Sequence, residues 1–159
     1  MRSWPTPTAG GERTRDGNLT LNKTLLDTDT YSEILKSKDP IVTQNALLYR
    51  RVHNVLTLSA VTLMEIVIGL QQNQAKRRLP VFLSAVAAEE ILTFDPPAAE
   101  LAGRIGGDLR RAGRIIGLAD TMIAAIAIHN GLDLATGNTS HFQFVRQIGY
   151  PLTVVNWRK

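Results

Sequence analysis

The sequence predicts an α/β domain of three layers, α/β/α, built on a parallel sheet of four to five strands. Three observations predict it. Short apolar runs alternate along the chain with longer segments of helical character, the order that yields a parallel sheet with helices on both faces. Helix-start signals follow three of the strands closely, at Asp29-Thr30, Ser59 and Asp95-Pro96-Pro97. The chain has 159 residues, 44% of them hydrophobic and 20% charged, enough for one core and too few for two ordinary domains.

The elements follow in order. Residues 1–22 are rich in Gly, Thr, Arg, Asn and Pro and show no apolar period. They read as a flexible extension, with the folded domain at 23–159. Thr24-Leu25-Leu26 is the first strand. A helix capped by Asp29 or Thr30 runs to Lys36, and Asp39-Pro40 opens another that reaches His53. Val55 to Leu58 is the second strand; Ser59 follows, then a helix through Glu65 to Gln71. Lys76 to Ala88 is helical, with Pro80 expected to divide or kink it. Ile91 to Thr93 is a third strand. Asp95-Pro96-Pro97 starts a helix that reaches Ala112, weakened in the middle by Gly106 and Gly107. After a loop over 113–117, Ala119 to Asn130 is helical and stopped by Gly131. Asp133 to Thr136 is the fourth strand, Ser140 to Arg146 a short helical turn, and Leu152 to Val155 the fifth strand.

Composition excludes several functions. There is no cysteine, hence no disulfide, no thiolate nucleophile and no cysteine-ligated zinc. No apolar run has membrane-spanning length and the first residues carry no apolar leader, so a cytoplasmic protein without a membrane partner is expected. The formal net charge is +4, compatible with an anionic partner. The basic clusters, Lys76-Arg77-Arg78 and Arg104, Arg110, Arg111 and Arg114, read singly as solvated helix faces.

Three carboxylates stand at positions where such a fold does chemistry, outside the carboxyl ends of strands. Asp27 directly follows the first strand. It reads either as a helix cap or as a functional group; Asp29 and Thr30 are better placed to cap, which leaves Asp27 free. Glu65 lies among apolar neighbours, Leu63-Met64-Glu65-Ile66. Thr62-x-x-Glu65 fits a capping box, yet Ser59 is the more natural helix start, and a carboxylate among apolar residues then needs a partner. Asp120 opens a helix that is apolar all round and so buried; in a first turn it suits the helix dipole. If the three face one edge, their mutual repulsion, about 4 kcal/mol for a pair ~4 Å apart at an effective dielectric of ~20, calls for a cation unless the cluster is protonated. Oxygen ligands suit Mg²⁺ or Mn²⁺. Such an ion activates water for attack on a phosphodiester.

These runs resemble PIN-domain ribonucleases, especially the VapC-type toxins of bacterial toxin–antitoxin pairs. The matching segments are Leu25-Leu26-Asp27-Thr28-Asp29, Ser59 to Glu65, Gly117 to Ala125, and Leu134-Ala135-Thr136-Gly137-Asn138-Thr139-Ser140-His141-Phe142. The resemblance covers 23–155. It implies that Asp27, Glu65 and Asp120 ligate Mg²⁺ or Mn²⁺, that the substrate is RNA, that the chain forms a homodimer, and that a cognate VapB-type antitoxin neutralises it with a segment near the acidic pocket. In this reading Asp27 and Asp120 bind metal, Glu65 binds metal or orients the attacking water, and Asn138 supports that water or a phosphate. The Asp29 position is often Asn in the family, which suits a capping or supporting role. One departure stands out: the family often has a further acid after the fourth strand, and 138–141 here offers Asn138, Thr139, Ser140 and His141. His141 reads as a surface histidine, with metal ligation the alternative. The loss puts a second metal in question.

Two rivals remain at this stage. A weak or inactive PIN-like domain would bind RNA or an antitoxin without cutting. Asp27-Thr28-Asp29-Thr30 also resembles the opening of haloacid-dehalogenase-type phosphatases, but Tyr31 stands where Thr or Val is expected. No phosphate loop or dinucleotide fingerprint is present. His53, His129 and His141 lack zinc spacing, and Ser59 lacks a nucleophile-elbow context.

Overall fold

Two leucines in succession explain why the chain folds around its first strand. In the computed structural model, which describes residues 21–159, β1 (Thr24–Leu26) is buried throughout. Side chains of a strand alternate between faces, and Leu25 enters one hydrophobic core while Leu26 enters the other. Only a strand in the middle of a covered sheet buries both.

The sheet has five parallel strands in the order β3-β2-β1-β4-β5, with β2 at Thr57–Ser59, β3 at Glu90–Leu92, β4 at Asp133–Ala135 and β5 at Val154–Val155. On one face lie α5 (Pro96–Arg111), α6 (Leu118–His129) and α7 (Thr139–Gln147). On the other lie α1 (Thr28–Lys36), α2 (Pro40–His53) and α4 (Arg78–Val86), packed around Tyr31, Tyr49, Phe82 and Trp157. Helix α3 (Ala60–Gln72) contributes Val61 to the first core, and Leu63 and Ile66 pack against the second. The three-layer α/β/α architecture is thus the one expected. Residues 1–20 lie outside the described residues, and with them most of the expected extension at 1–22. Its last two residues join the domain: Leu21 packs on the second core and accepts a hydrogen bond from His53 Nε2 at 2.8 Å, and Asn22 donates to Asp133 at 3.2 Å.

Some boundaries depart from expectation, each for a local reason. Asp27, not Asp29 or Thr30, caps α1: its backbone is extended and its Oδ1 accepts from the Thr30 N–H at 3.1 Å. Pro80 does not divide a helix, because α4 begins at Arg78 and places Pro80 in the first turn, where no intrahelical N–H bond is missed. The second strand begins two residues later than expected and ends on Ser59, which also caps α3 by accepting from the Thr62 N–H at 3.0 Å. Gly106 and Gly107 leave α5 unbroken, since Ala98, Leu101, Ala102, Ile105 and Leu109 form a buried stripe. Gly131, with φ +65°, ends α6 as expected. The last helical turn is a full helix, α7, anchored by Phe142 and Val145. No helix among the described residues is long and apolar enough to cross a membrane.

Candidate active site

Helices α1 and α3 start directly after β1 and β2, at their carboxyl ends, and the contacts of His141 with Asp120 and of Asn138 with Thr136 bring the start of α6 to the carboxyl end of β4, on the same edge. That edge is where Asp27, Glu65, Asp120 and Asn138 gather.

Asp27 is the deepest of them, at 5% exposure. Its backbone N–H still belongs to the sheet, donating to Ala135 O at 3.0 Å. Burial pushes its carboxyl up to about 8, and the neighbouring Asp29 adds to the rise by hydrogen bond and by charge; the Thr136 hydroxyl and the Thr30 N–H oppose it. Asp29 goes the other way. Burial alone would raise it, but the hydrogen bond from Asp27, the Arg158 guanidinium and the Gly137 N–H together hold it below the usual carboxylate range. The two thus form a pair in which Asp27 keeps the proton and Asp29 the charge.

Glu65 reaches the same place from α3. Its Oε1 accepts from the Thr28 hydroxyl at 2.5 Å, one residue beyond Asp27. The capping-box alternative falls away, because Ser59 caps α3 and leaves the Glu65 carboxylate directed at α1. Asp120 lies in the first turn of α6, whose N-cap is Gly117 with no side-chain cap bond. Its Oδ2 meets His141 Nδ1 at 3.1 Å. Asn138 Nδ2 lies 2.8 Å from the same ring nitrogen, and the Asn138 N–H donates to Thr136 Oγ1 at 2.9 Å. Glu65 thus meets Thr28, the residue after Asp27, and a separate run of polar contacts links Asp27, Thr136, Asn138, His141 and Asp120.

The four expected site residues share one edge, but they do not form a closed clasp. Among the described residues no three His, Asp or Glu side chains stand close enough together to hold a metal ion. The donor chemistry still fits Mg²⁺ or Mn²⁺: the acids offer oxygens only, and Mg²⁺ keeps several waters while taking one or two carboxylates. Asp27, buried beside a second carboxylate, is the group a cation would relieve most.

Three residues enter the site that sequence reasoning placed elsewhere or overlooked. His141 is no isolated surface histidine, since its Nδ1 lies within hydrogen-bond distance of both Asp120 and Asn138, donating to the carboxylate when protonated and accepting from the amide when not. Asp29, expected as a cap or support, does not cap α1 but supports the edge, accepting from the Gly137 N–H at 3.2 Å and pairing with Arg158. Arg158 carries no motif and comes from the far end of the chain, so nothing local signalled it. Of the basic clusters, Arg104 pairs with Glu100 and Arg111 with Asp108 on α5, and the Arg114 guanidinium lies 4.6 Å over the Phe144 ring. Lys76, Arg77 and Arg78 are exposed. Tyr31, which broke the phosphatase pattern, is buried in the second core.

Residues 24–146 match the PIN domain. The chain is 35% identical over 124 residues to the tRNA(fMet)-specific endonuclease VapC of Shigella flexneri, covering 77% of this chain and 92% of that protein. It is 31% identical over 126 residues to the VapC ribonuclease Y4jK of Sinorhizobium fredii, covering 75% and 89%. In three dimensions it is similar to the DNA-bound VapBC of Salmonella typhimurium, with a TM-score of 0.74 and 30% identity over 86% of this chain and 99% of that one.

Proposed function

The chain belongs to the PIN-domain family, and from that premise we propose that it is a Mg²⁺- or Mn²⁺-dependent endoribonuclease, the toxin of a pair whose other member is a VapB-type antitoxin. One observation carries the reading: a buried carboxylate, Asp27, follows the central strand, Glu65 bonds the hydroxyl of the next residue, Thr28, and polar contacts through Thr136, Asn138 and His141 lead from Asp27 to Asp120. The relatives' names, endonuclease and ribonuclease, and the VapBC assemblies among similar structures support the same assignment.

In this proposal Asp27 and Asp120 would hold the ion, and Glu65 would hold it or orient the attacking water. The ion would supply Lewis-acid charge at the phosphodiester and a more acidic water. Thr28 fixes the Glu65 carboxylate, and His141 fixes that of Asp120. Asn138, tied to Thr136 and His141, is set to donate to the water or a phosphate oxygen. Exposed Lys76, Arg77, Arg78 and Arg110 would meet the RNA backbone, which gives affinity without sequence preference. A homodimer belongs to the same reading, supported by Ile115 at 85% and Leu118 at 73% exposure beside α6.

A second reading, a PIN-like domain that binds RNA or antitoxin without cutting, is favoured by the open spacing of the acids. RNA cleavage by the purified chain, with Mg²⁺, with Mn²⁺ and with chelator, separates the two. Cleavage that needs the cation and is lost in Asp27→Asn is the expected result. Cleavage unaffected by chelator or by Asp27→Asn would overturn the metal mechanism, and binding without any cleavage would favour the second reading.

A further inference from the structure

We infer that Arg158 is a positioning residue for the acidic edge: its guanidinium holds the Asp29 carboxylate against the Gly137 amide, and so sets Asp27 relative to the loop that carries Asn138. For its effect on activity this inference rests on the nuclease reading above.

Three contacts meet on Asp29. Arg158 Nη1 and Nη2 lie 3.2 and 3.3 Å from Asp29 Oδ2, and the Gly137 N–H donates to the same oxygen at 3.2 Å. The guanidinium also forks onto the next turn of α1, with Nε 2.6 Å and Nη2 2.5 Å from Glu33 Oε2. Residues four apart share one helix face, so a planar fork spans Asp29 and Glu33, which a single ammonium would not do. The arginine is delivered by a fixed chain end. After β5, Trp157 is buried at 8% exposure against Tyr49, its carbonyl accepts from Asn45 Nδ2 at 2.9 Å, and the Arg158 N–H donates to Asn156 Oδ1 at 3.0 Å.

The seat is built for this side chain. A Cβ at Gly137 would stand 1.3 Å from Arg158 Nη1 and 2.7 Å from Asp29 Oδ2. Only a residue with no side chain lets the guanidinium lie across the β4–α7 loop. Asp29 in turn touches Asp27. The Asp29 carboxylate is exposed enough for its side chain to turn to water. Arg158 is what makes the inward position of Asp29 favourable, and with it the link from β1 to Gly137.

The test is a cycle of three variants assayed for steady-state RNA cleavage in Mg²⁺. Arg158→Met is expected to lower kcat by about ten- to a hundredfold, the scale of a small misplacement of reacting groups, with KM within about twofold. Gly137→Ala, whose Cβ displaces the guanidinium, is expected to do the same. Asp29→Asn in the Arg158→Met background removes the charge while keeping an acceptor for the Gly137 N–H, and is expected to recover kcat to within about threefold of wild type. An unchanged kcat in Arg158→Met, a rise in KM with kcat kept, as for a phosphate contact, or no recovery in the double variant would overturn the inference. Should Arg158→Met not fold, Arg158→Lys, which lacks the fork, carries the same comparison. The Gly137 amide gives a readout independent of activity. Its hydrogen exchange is expected to speed up at least about tenfold in Arg158→Met and to return in the double variant. A wild-type chain that cleaves nothing defeats the nuclease reading alone; unchanged exchange at Gly137 defeats the clamp.

Discussion

Replacing Asp27 by Asn isolates the charge at the centre of the edge. The amide keeps an oxygen to accept from the Thr30 N–H, so the α1 cap survives. It also keeps a donor toward Asp29, as the protonated carboxyl does. Only the ionisation is removed. The folded chain holds the Asp27 proton up to about 8, whereas the ordinary carboxylate value is 3.8. Between those values the folded state binds more protons than the unfolded one. Wild-type stability from this group is therefore complete below about pH 4 and is lost as pH rises toward 8. Each pH unit in that window costs about 1.4 kcal/mol, or on the order of 4 kcal/mol by pH 7; relaxation and water entry reduce such penalties, so a gap of ~2 kcal/mol already carries the argument. Asp29, held low, acts in the opposite sense and below pH 4, outside this window. Urea unfolding in chelator at several pH values reads the difference directly, because all other titrating groups are common to both proteins. Asp27→Asn should match wild type near pH 4, exceed it increasingly to pH 8, and then run parallel. A difference that stays flat across the range, or that favours wild type at pH 8, would refute the assignment of a buried proton to Asp27.

Divalent cation should supply what the proton otherwise does: at pH 8, Mg²⁺ or Mn²⁺ at 100 times its Kd should stabilise wild type by about 2.7 kcal/mol, seen as a rise in Tm that Asp27→Asn loses. Tyr49→Phe removes a hydroxyl that accepts from the buried Thr24 N–H at 3.1 Å and lies 3.0 Å from Thr57 Oγ1; a loss of about 1–3 kcal/mol in urea unfolding is expected, and a neutral result would show that water replaces it. Trp157→Ala should cost about 3–5 kcal/mol and also lower cleavage, because the same residue anchors Arg158; a stability loss with full activity would separate the two roles.

Much of the fold was legible because its signals are local. Leu25-Leu26, Asp39-Pro40, Asp95-Pro96-Pro97 and Gly131 mark their own elements by periodicity and capping chemistry, and the parallel sheet follows from their alternation. Where a residue serves two neighbours, local reading went astray. Asp29 and Thr30 read in sequence as the better caps, yet Asp27 caps α1 and faces the edge as well. Pro80 reads as a helix breaker, yet the helix starts only two residues before it. The acids were legible through their place after strands and at helix starts. Their partners were not, because His141 reaches Asp120 and Arg158 reaches Asp29 across folds of the chain, and no spacing rule links such positions.

The central place of β1 bears on how the chain is made. Strand β1 leaves the ribosome early, but its flank at Ala135 and Gly137 arrives late; the Gly137 N–H meets an Asp29 synthesised 108 residues before it. Pairing over such separations is slow and waits on the last segments. During translation the emerging polypeptide thus has an unfinished edge until the stretch from Ala135 to Gly137 has emerged to meet β1 and Asp29.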